Sequence, residues 1–390
     1  MKIAFFSNFL NHHQLPFCQA MLKTEGVEFK FVACEKTHEE RLQMGYADMN
    51  NEYGFVVRAY ENEEEALSIA ETYDVVMIGD APVKYLDLRM GKGLLTFRCS
   101  ERSLKKGIWR RFIPRTRKKI YNGYTKYKDK SLYVLGASAY TASDLVLCGF
   151  DKEKCFTWGY FPKAKDVDVQ GLFEQKKSSE VPTVLYAGRL LKLKHVMDTV
   201  KAVHNLIKNG TFVRFTIIGE GECENKIRKY IEKNKLEKYI TMLPFMSPEE
   251  VRTYMDKSDI YVFGSNFYEG WGAVVNEAMN SCCAVVVSHA VGSSACLIDN
   301  EKNGFVYEFA NVEQLTQILS MLVEKSELRC NVGKEAYKTL KSTWSAETAA
   351  ERFYELCKEL LAKGDGRGLY AEGPCSPARI LKNDWIKNTK

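Results

Sequence analysis

The sequence lacks a long apolar run. Stretches such as VVM at residues 75–77 and AVVV at 284–287 fall far short of the roughly 20 residues that cross a bilayer, so no membrane span is expected. The apolar stretch of Ile3, Ala4, Phe5 and Phe6 is too short for the core of a secretory signal and reads as a buried first strand, which makes export unexpected. No CxxC pair occurs either. The twelve cysteines are scattered, several of them inside apolar segments, as with Cys99, Cys148, Cys282 and Cys283. Free cysteine is among the most buried residue types, so these thiols read as packing in a reduced, cytoplasmic compartment rather than as a redox or metal site. Acidic residues, finally, are almost missing from one segment. Residues 102–130 hold twelve Lys or Arg against a single acid, Asp129, a local charge of +11 in a chain whose total is +6, which leaves −5 for everything else.

What the sequence does hold is alternation. With 390 residues, 45% hydrophobic and 27% charged, the chain has material for about two or three globular domains. It opens with the strand IAFFS, the polar loop NFLNHHQ and a helical pattern through Leu15 and Leu22. Near Pro182 it begins again, with the strand TVLYAG, the basic loop RLLKLK and helical spacing at Val196, Val200, Val203 and Ile207. FVRFTII, YITML, DIYVF and CAVVVS continue the second half, while VEFKFVA, DVVMIGD, GLLTFRC and SLYVLG are matching pieces in the first. Strands alternating with helices imply α/β domains with parallel sheets covered on both faces. The expected architecture is two facing Rossmann-like domains, residues 1–165 and 182–345, with a polar linker over 166–181. A C-terminal helix and tail, 346–390, would pack back on the first domain. Ligands in such folds sit beyond the carboxyl ends of the strands, so the cleft between the domains is the expected site.

Three loops in the second half could carry chemistry. In NFYEGWGAVVNEAMNSC, residues 266–282, Glu269 lies in a strand-to-helix loop and Glu277 inside the following helix. Their separation is slightly over two helical turns, too far to share one proton but suited to different parts of one elongated ligand. Gly270 and Gly272 let backbone approach that ligand, and the helix start beyond them suits an anion such as a diphosphate. A glycine turn with two surface glutamates is the competing explanation. In GRLLKLKH, residues 188–195, Arg189 and Lys194 follow a strand and could neutralise a phosphate leaving group, or could belong to a solvated basic loop. IIGEGE, residues 217–222, ends a strand at a glycine turn but has Glu224 where a dinucleotide fingerprint would need glycine.

Taken together, GRLLKLK, IIGEGE, YITMLPFMSPEEV and above all EGWGAVVNE resemble the donor-binding domain of family 4 glycosyltransferases, most strongly over residues 181–309. SNFLNHHQLP, ASAYTASDLVLCGF and WGYFP extend the resemblance into the first half. The resemblance implies a GT-B fold and a retaining, nucleotide-sugar-dependent hexosyltransferase, with UDP as the nucleotide. Arg189 and Lys194 would hold the departing diphosphate, Glu269 would contact the transferred sugar, and Glu277 would bind the ribose hydroxyls. Gly188, Gly219, Gly270, Trp271 and Gly272 would line the donor, with backbone from Leu243 to Phe245 at the base. The donor is a co-substrate, and neither a cofactor nor a metal is implied, because two cations beside a helix terminus can neutralise the diphosphate. Asp166 and Asp168 have the DxD form by which other glycosyltransferases bind a metal, but no strand leads into them, and they read as linker.

The first half should bind a glycan or lipid-linked acceptor of surface polysaccharide or glycoconjugate synthesis. Asn11, His13 and Glu101 are its candidates; His12 is weaker, and FRCSERS places Arg98, Glu101 and Arg102 where many family members carry a histidine. In LKKGIWRRFI, residues 104–113, the apolar Leu104, Ile108, Trp109, Phe112 and Ile113 share a face that Lys105, Lys106, Arg110 and Arg111 avoid, giving a basic amphipathic helix. With the cations through Lys119 it could lie peripherally on the anionic inner face of a membrane, or turn its stripe onto its own sheet. Two rivals stay open. One is a nucleotide-sugar epimerase or phosphorylase of the same fold. The other is a nucleic-acid-binding protein that uses residues 102–130 with Tyr121, Tyr124 and Tyr127 as stacking platforms, although no nucleic-acid motif is present and no nucleic-acid partner is expected.

Overall fold

The computed structural model describes residues 1–39, 47–177 and 181–388, and the chain forms two compact units. The first comprises Met1–Lys163 and Thr343–Lys382; the second comprises Ala164–Ser342 and the residues from Asn383 on. Among the described residues no helix is long and apolar enough to cross a membrane.

The first unit is built on seven parallel strands: β1 Lys2–Ser7, β2 Glu28–Ala33, β3 Val56–Arg58, β4 Val75–Ile78, β5 Thr96–Ser100, β6 Leu132–Gly136 and β7 Cys155–Thr157. Their order is β3-β2-β1-β4-β5-β6-β7. The central strands are apolar almost throughout, which a parallel sheet with both faces covered requires. Ile3 of β1 stands opposite Phe29 of β2 on one side and Val75 of β4 on the other. The order therefore reverses beside β1, and the loops after β1 and β4 diverge there, leaving room for a ligand. The helix Ala346–Lys363 belongs to this unit: its Phe353 ring meets Phe97 at 5.0 Å, Trp158 at 5.9 Å and Phe17 at 6.1 Å.

The second unit repeats the plan with β8 Thr183–Ala187, β9 Arg214–Ile218, β10 Ile240–Leu243, β11 Ile260–Phe263, β12 Ala284–Ser288 and β13 Phe305–Tyr307. All pair in parallel in the order β10-β9-β8-β11-β12-β13, so the reversal falls beside β8. Val184 of β8 lies opposite Phe215 of β9 and Ile260 of β11.

Two expectations need correction. The polar linker over 166–181 is not free: Val169–Lys177 is a helix of the second unit, while residues 178–180 lie outside the described residues. The Asp168 carboxylate starts it by accepting the Gly171 N–H at 3.1 Å, and Phe173 and Lys176 are buried beneath it. Only those few inward positions carry the pattern, so helical periodicity is faint. Asp166 instead pairs with Lys341 at 2.7 Å, which leaves neither acid of the DxD placed as a paired ligand.

The second correction concerns residues 104–113, which are not one amphipathic helix. Gly107 takes φ 114°, a conformation side-chain-bearing residues avoid, and Pro114 opens a new helix, Pro114–Gly123; between them Ile108–Phe112 is a short 3₁₀ segment. The apolar stripe consequently splits. Leu104 is fully buried, whereas Ile108, Trp109 and Phe112 are 46%, 59% and 68% exposed. Of the three tyrosines in the basic segment, Tyr124 and Tyr127 are buried and hydrogen-bonded to Ser100 and Asp87, so they offer no stacking platform to a nucleic-acid strand.

What anchors this turn is a buried ion pair. Asp144 accepts from Arg102 Nε at 3.2 Å, from Arg102 Nη2 at 2.9 Å and from the Leu104 N–H at 2.7 Å, with both charged side chains at most 2% exposed. Replacing Asp144 with alanine strands the arginine charge, so urea denaturation should show a loss of about 3–5 kcal/mol. A loss under about 1 kcal/mol, the size typical of an exposed pair, would show that the pair does not hold the segment down.

Candidate functional site

The loops after β8 and β9 are held together by glycine. Gly219 has φ 131°, and a Cβ there would fall 2.2 Å from the Gly188 carbonyl oxygen. Because that space is empty, the loops run in step past the strand ends: Gly188 N–H donates to Ile218 O at 3.0 Å and Leu190 N–H to Glu220 O at 2.7 Å. Gly219 N–H extends the zipper to Leu243 O at 3.1 Å, and Phe245 N–H donates to the Glu220 carboxylate at 3.3 Å. The backbone from Leu243 to Phe245 is thus tied to the glycine turn, with the Phe245 ring exposed.

On this platform Arg189 is exposed and has no ion pair among the described residues. Its carbonyl accepts from Tyr186 OH at 3.0 Å, and burial holds that phenol far above the ordinary tyrosine range. Lys194 behaves differently. It reaches across the order reversal from the β8 loop to the β11 loop and forms an ion pair with Glu269, with its ammonium 4.8 Å from the centre of the Phe263 ring. The two side chains are 14% and 16% exposed, so solvent screens this pair only in part. Ser265 Oγ donates to the same Glu269 oxygen at 3.0 Å and fixes the carboxylate's direction. Nothing in the sequence pattern singled out Ser265, although it stands four residues before Glu269 in one loop.

Beyond Glu269 the loop through Gly270 and Gly272 is buried and leads into the helix Val274–Asn280, which carries Glu277. Burial pushes the Glu277 carboxyl above the usual glutamate range, opposed by the positive charge of Arg252. Trp271 departs from its expected place against a ligand. The side chain is fully enclosed, and its indole N–H donates to Asn276 at 2.9 Å, so the ring locks the loop to the helix. The β8 cations, Glu269 and Glu277 thus come from loops and a helix on either side of one strand-order reversal.

The first-half candidates cluster less completely. Asn11 closes the turn ahead of the helix Leu15–Lys23: its carbonyl accepts from the Gln14 and Leu15 N–H groups and its side chain from the His13 N–H at 3.0 Å. The His13 ring lies parallel to Tyr160 at 5.9 Å, and Tyr160 OH donates to Glu101 at 2.8 Å. The other Glu101 oxygen pairs with Lys105. His13 and Glu101 are therefore connected, through a tyrosine that only its position in WGYFP could have suggested. Arg98 donates to Gly79 O at 3.1 Å, just past β4. Burial raises Cys99, Cys155 and Cys282 to about 12 and holds them as thiols, and among the described residues no cluster suits a metal.

Gly219→Ala tests the platform. The added methyl must push the Gly188 carbonyl away, and the backbone is strained besides, so thermal unfolding should report a loss of about 1–3 kcal/mol. An unchanged melting temperature would mean that the two loops separate without cost.

Residues 170–339 match the family model described as glycosyl transferases group 1. The poly(ribitol-phosphate) alpha-N-acetylglucosaminyltransferase of Staphylococcus aureus is 26% identical over 216 residues, which cover 54% of this chain and 41% of that protein. The N-acetylgalactosamine-N,N'-diacetylbacillosaminyl-diphospho-undecaprenol 4-alpha-N-acetylgalactosaminyltransferase of Campylobacter jejuni is 28% identical over 170 residues, 44% of this chain and 42% of that one. The chain thus spans less than half the length of these two relatives. Among solved structures, HepE of Anabaena in complex with UDP gives a TM-score of 0.68 at 15% identity, over 92% of this chain and 100% of that one. At that identity the likeness shows the fold, which is GT-B.

Proposed function

We propose, for a chain that carries a group 1 glycosyl transferase domain, that it moves a sugar with retention from a nucleoside diphosphate donor to a glycan or lipid-linked acceptor in surface polysaccharide or glycoconjugate synthesis. The observation that carries this is the Lys194–Glu269 pair at the strand-order reversal of the second unit, with Arg189, which has no ion pair among the described residues, in the same loop as Lys194. As the bond from the anomeric carbon to the diphosphate breaks, negative charge collects on the phosphates, and two preplaced cations offset it without a metal ion. Glu269, aimed by Ser265, then faces the sugar, while Glu277 accepts from the ribose hydroxyls and the backbone from Leu243 to Phe245 meets the base. UDP is the favoured nucleotide because the HepE structure was solved with it. The names of the two relatives, one acting on a poly(ribitol-phosphate) and one on a diphospho-undecaprenol glycan, favour a polymeric or lipid-linked acceptor. On the acceptor side we assign contact to His13 and Glu101, with Tyr160 between them.

Lys194→Ala removes one of the two cations and should lower kcat by about 10²–10³-fold while the circular dichroism spectrum is kept. Full activity in the folded variant would end the phosphate assignment.

We further propose that the enzyme works from the cytoplasm against an anionic membrane face, held there by Ile108, Trp109 and Phe112. Arg110 and Arg111 flank these rings, and Arg115, Arg117, Lys118 and Lys119 follow on the next helix. An apolar edge this exposed suits an interface, and each cation near an anionic surface adds about 1 kcal/mol. The protein should float with phosphatidylglycerol vesicles at low salt and be released by about 1 M salt, where the screening length shrinks to about 3 Å. The double variant Trp109→Ser, Phe112→Ser should stay in solution. Failure of the unaltered protein to float at low salt would exclude membrane docking.

A further inference from the structure

Glu277, like Arg189, is a member of the proposed donor site whose side chain makes no hydrogen bond or ion pair among the described residues. Its placement must come from its backbone. The residue behind it is Arg252, buried on the helix Pro248–Lys257, which a reciprocal cap between Ser247 and Glu250 starts. Arg252 Nη1 donates to the Glu277 carbonyl oxygen at 3.0 Å, and Nη2 donates to the Asn280 side-chain oxygen. Asn280 is itself held from both sides by Lys165, whose N–H donates to it at 2.8 Å and whose carbonyl accepts from it at 3.0 Å. Arg252 Nε is buried with no hydrogen-bond partner among the described residues. A guanidinium holds a carbonyl and an amide oxygen through a rigid planar fork, whereas an ammonium's donors rotate on a flexible stem.

We propose that Arg252 is a positioning residue for the donor, fixing Glu277 through its carbonyl and through Asn280, and supplying the positive charge that faces its carboxylate. This rests on Glu277 being the ligand of the ribose. The groups that bear on that carboxylate are Arg252 and Glu249 from one helix and the buried phenol of Tyr261 on β11, and Arg252 is the cation among them. Arg252 in turn faces Asp256, which is occupied by the Ser281 hydroxyl at 2.6 Å. Burial raises the Glu277 carboxyl and Arg252 opposes that rise. Only the ionised form accepts from both ribose hydroxyls, so donor binding is kept above the carboxyl's pKa and lost as pH falls through it. Without Arg252 that loss must begin at a higher pH.

The test is calorimetric titration of the full chain with UDP, and with ADP, GDP, CDP and dTDP, at about pH 6 and about pH 8. Arg252→Met should weaken UDP binding more at the lower pH than at the higher one, the titration contributing at most about tenfold if the carboxyl's pKa rises by about one unit. Arg252→Lys, which keeps the charge but loses the fork, should weaken binding by a similar factor at both values. It also serves if the methionine variant does not fold. In a Glu277→Ala background, where residue 277 no longer reaches the ribose, adding Arg252→Lys should change Kd by less than about twofold. A folded Arg252 variant with unchanged Kd and pH profile would overturn the proposal while leaving the donor site standing. Independent, additive losses in the double variant would also overturn it, reducing Arg252 to a structural role. If the unaltered protein binds none of the five diphosphates, the donor-site reading itself fails, and this one with it.

Discussion

The functional end of the second sheet depends on the missing Cβ of Gly219. With the Gly188 carbonyl seated in that space, the loops after β8, β9 and β10 extend as a continuous backbone layer beyond the strand ends. A layer tied by its own hydrogen bonds has few unsatisfied groups to bury and little freedom to collapse into the space beyond β8. Across the strand-order reversal the β11 loop is tied to the β8 loop, Asn266 N–H donating to Leu193 O at 2.9 Å, and there Lys194 and Glu269 meet.

That meeting has a chemical consequence. On the proposed assignment the Lys194–Glu269 pair is divided between the two halves of a donor, the diphosphate drawing the ammonium and the sugar meeting the carboxylate. Arg189, five residues before Lys194 in the same loop and with no ion pair among the described residues, supplies further positive charge. On the proposed assignment the site therefore needs little rearrangement of charge at the moment the phosphate departs, and this is where electrostatic stabilisation is most effective.

In the first unit the decisive local feature is the Arg102–Asp144 pair. It fixes Leu104 inward, and Gly107 then redirects the chain so that the next three large apolar side chains face outward. A helical wheel drawn through residues 104–113 puts these four side chains on one face, but a wheel presupposes an unbroken helix. The positive φ at Gly107 and the ring of Pro114 break it at both ends, and each break was present in the sequence as a residue type whose effect depended on its neighbours.

Much of the fold was legible in the order of residues. The apolar strands of both halves, their parallel pairing and the loops GRLLKLK, IIGEGE and EGWGAVVNE follow from local composition, since a strand covered on both faces must be apolar throughout. The chain's own order also determined that Glu269 and Glu277 could not share a proton. Only tertiary structure decided which polar groups work together. Ser265 aims Glu269, Tyr160 joins His13 to Glu101, Arg252 holds the Glu277 carbonyl and Asn280 from a different helix, and Trp271 turns inward to lock its loop. Most of these are contacts between separate elements, and hydrogen bonds and ion pairs act over about 3 Å whatever the separation along the chain. A one-dimensional pattern fixes which elements form, but the partners of a polar side chain are set by where the sheets bring its neighbours.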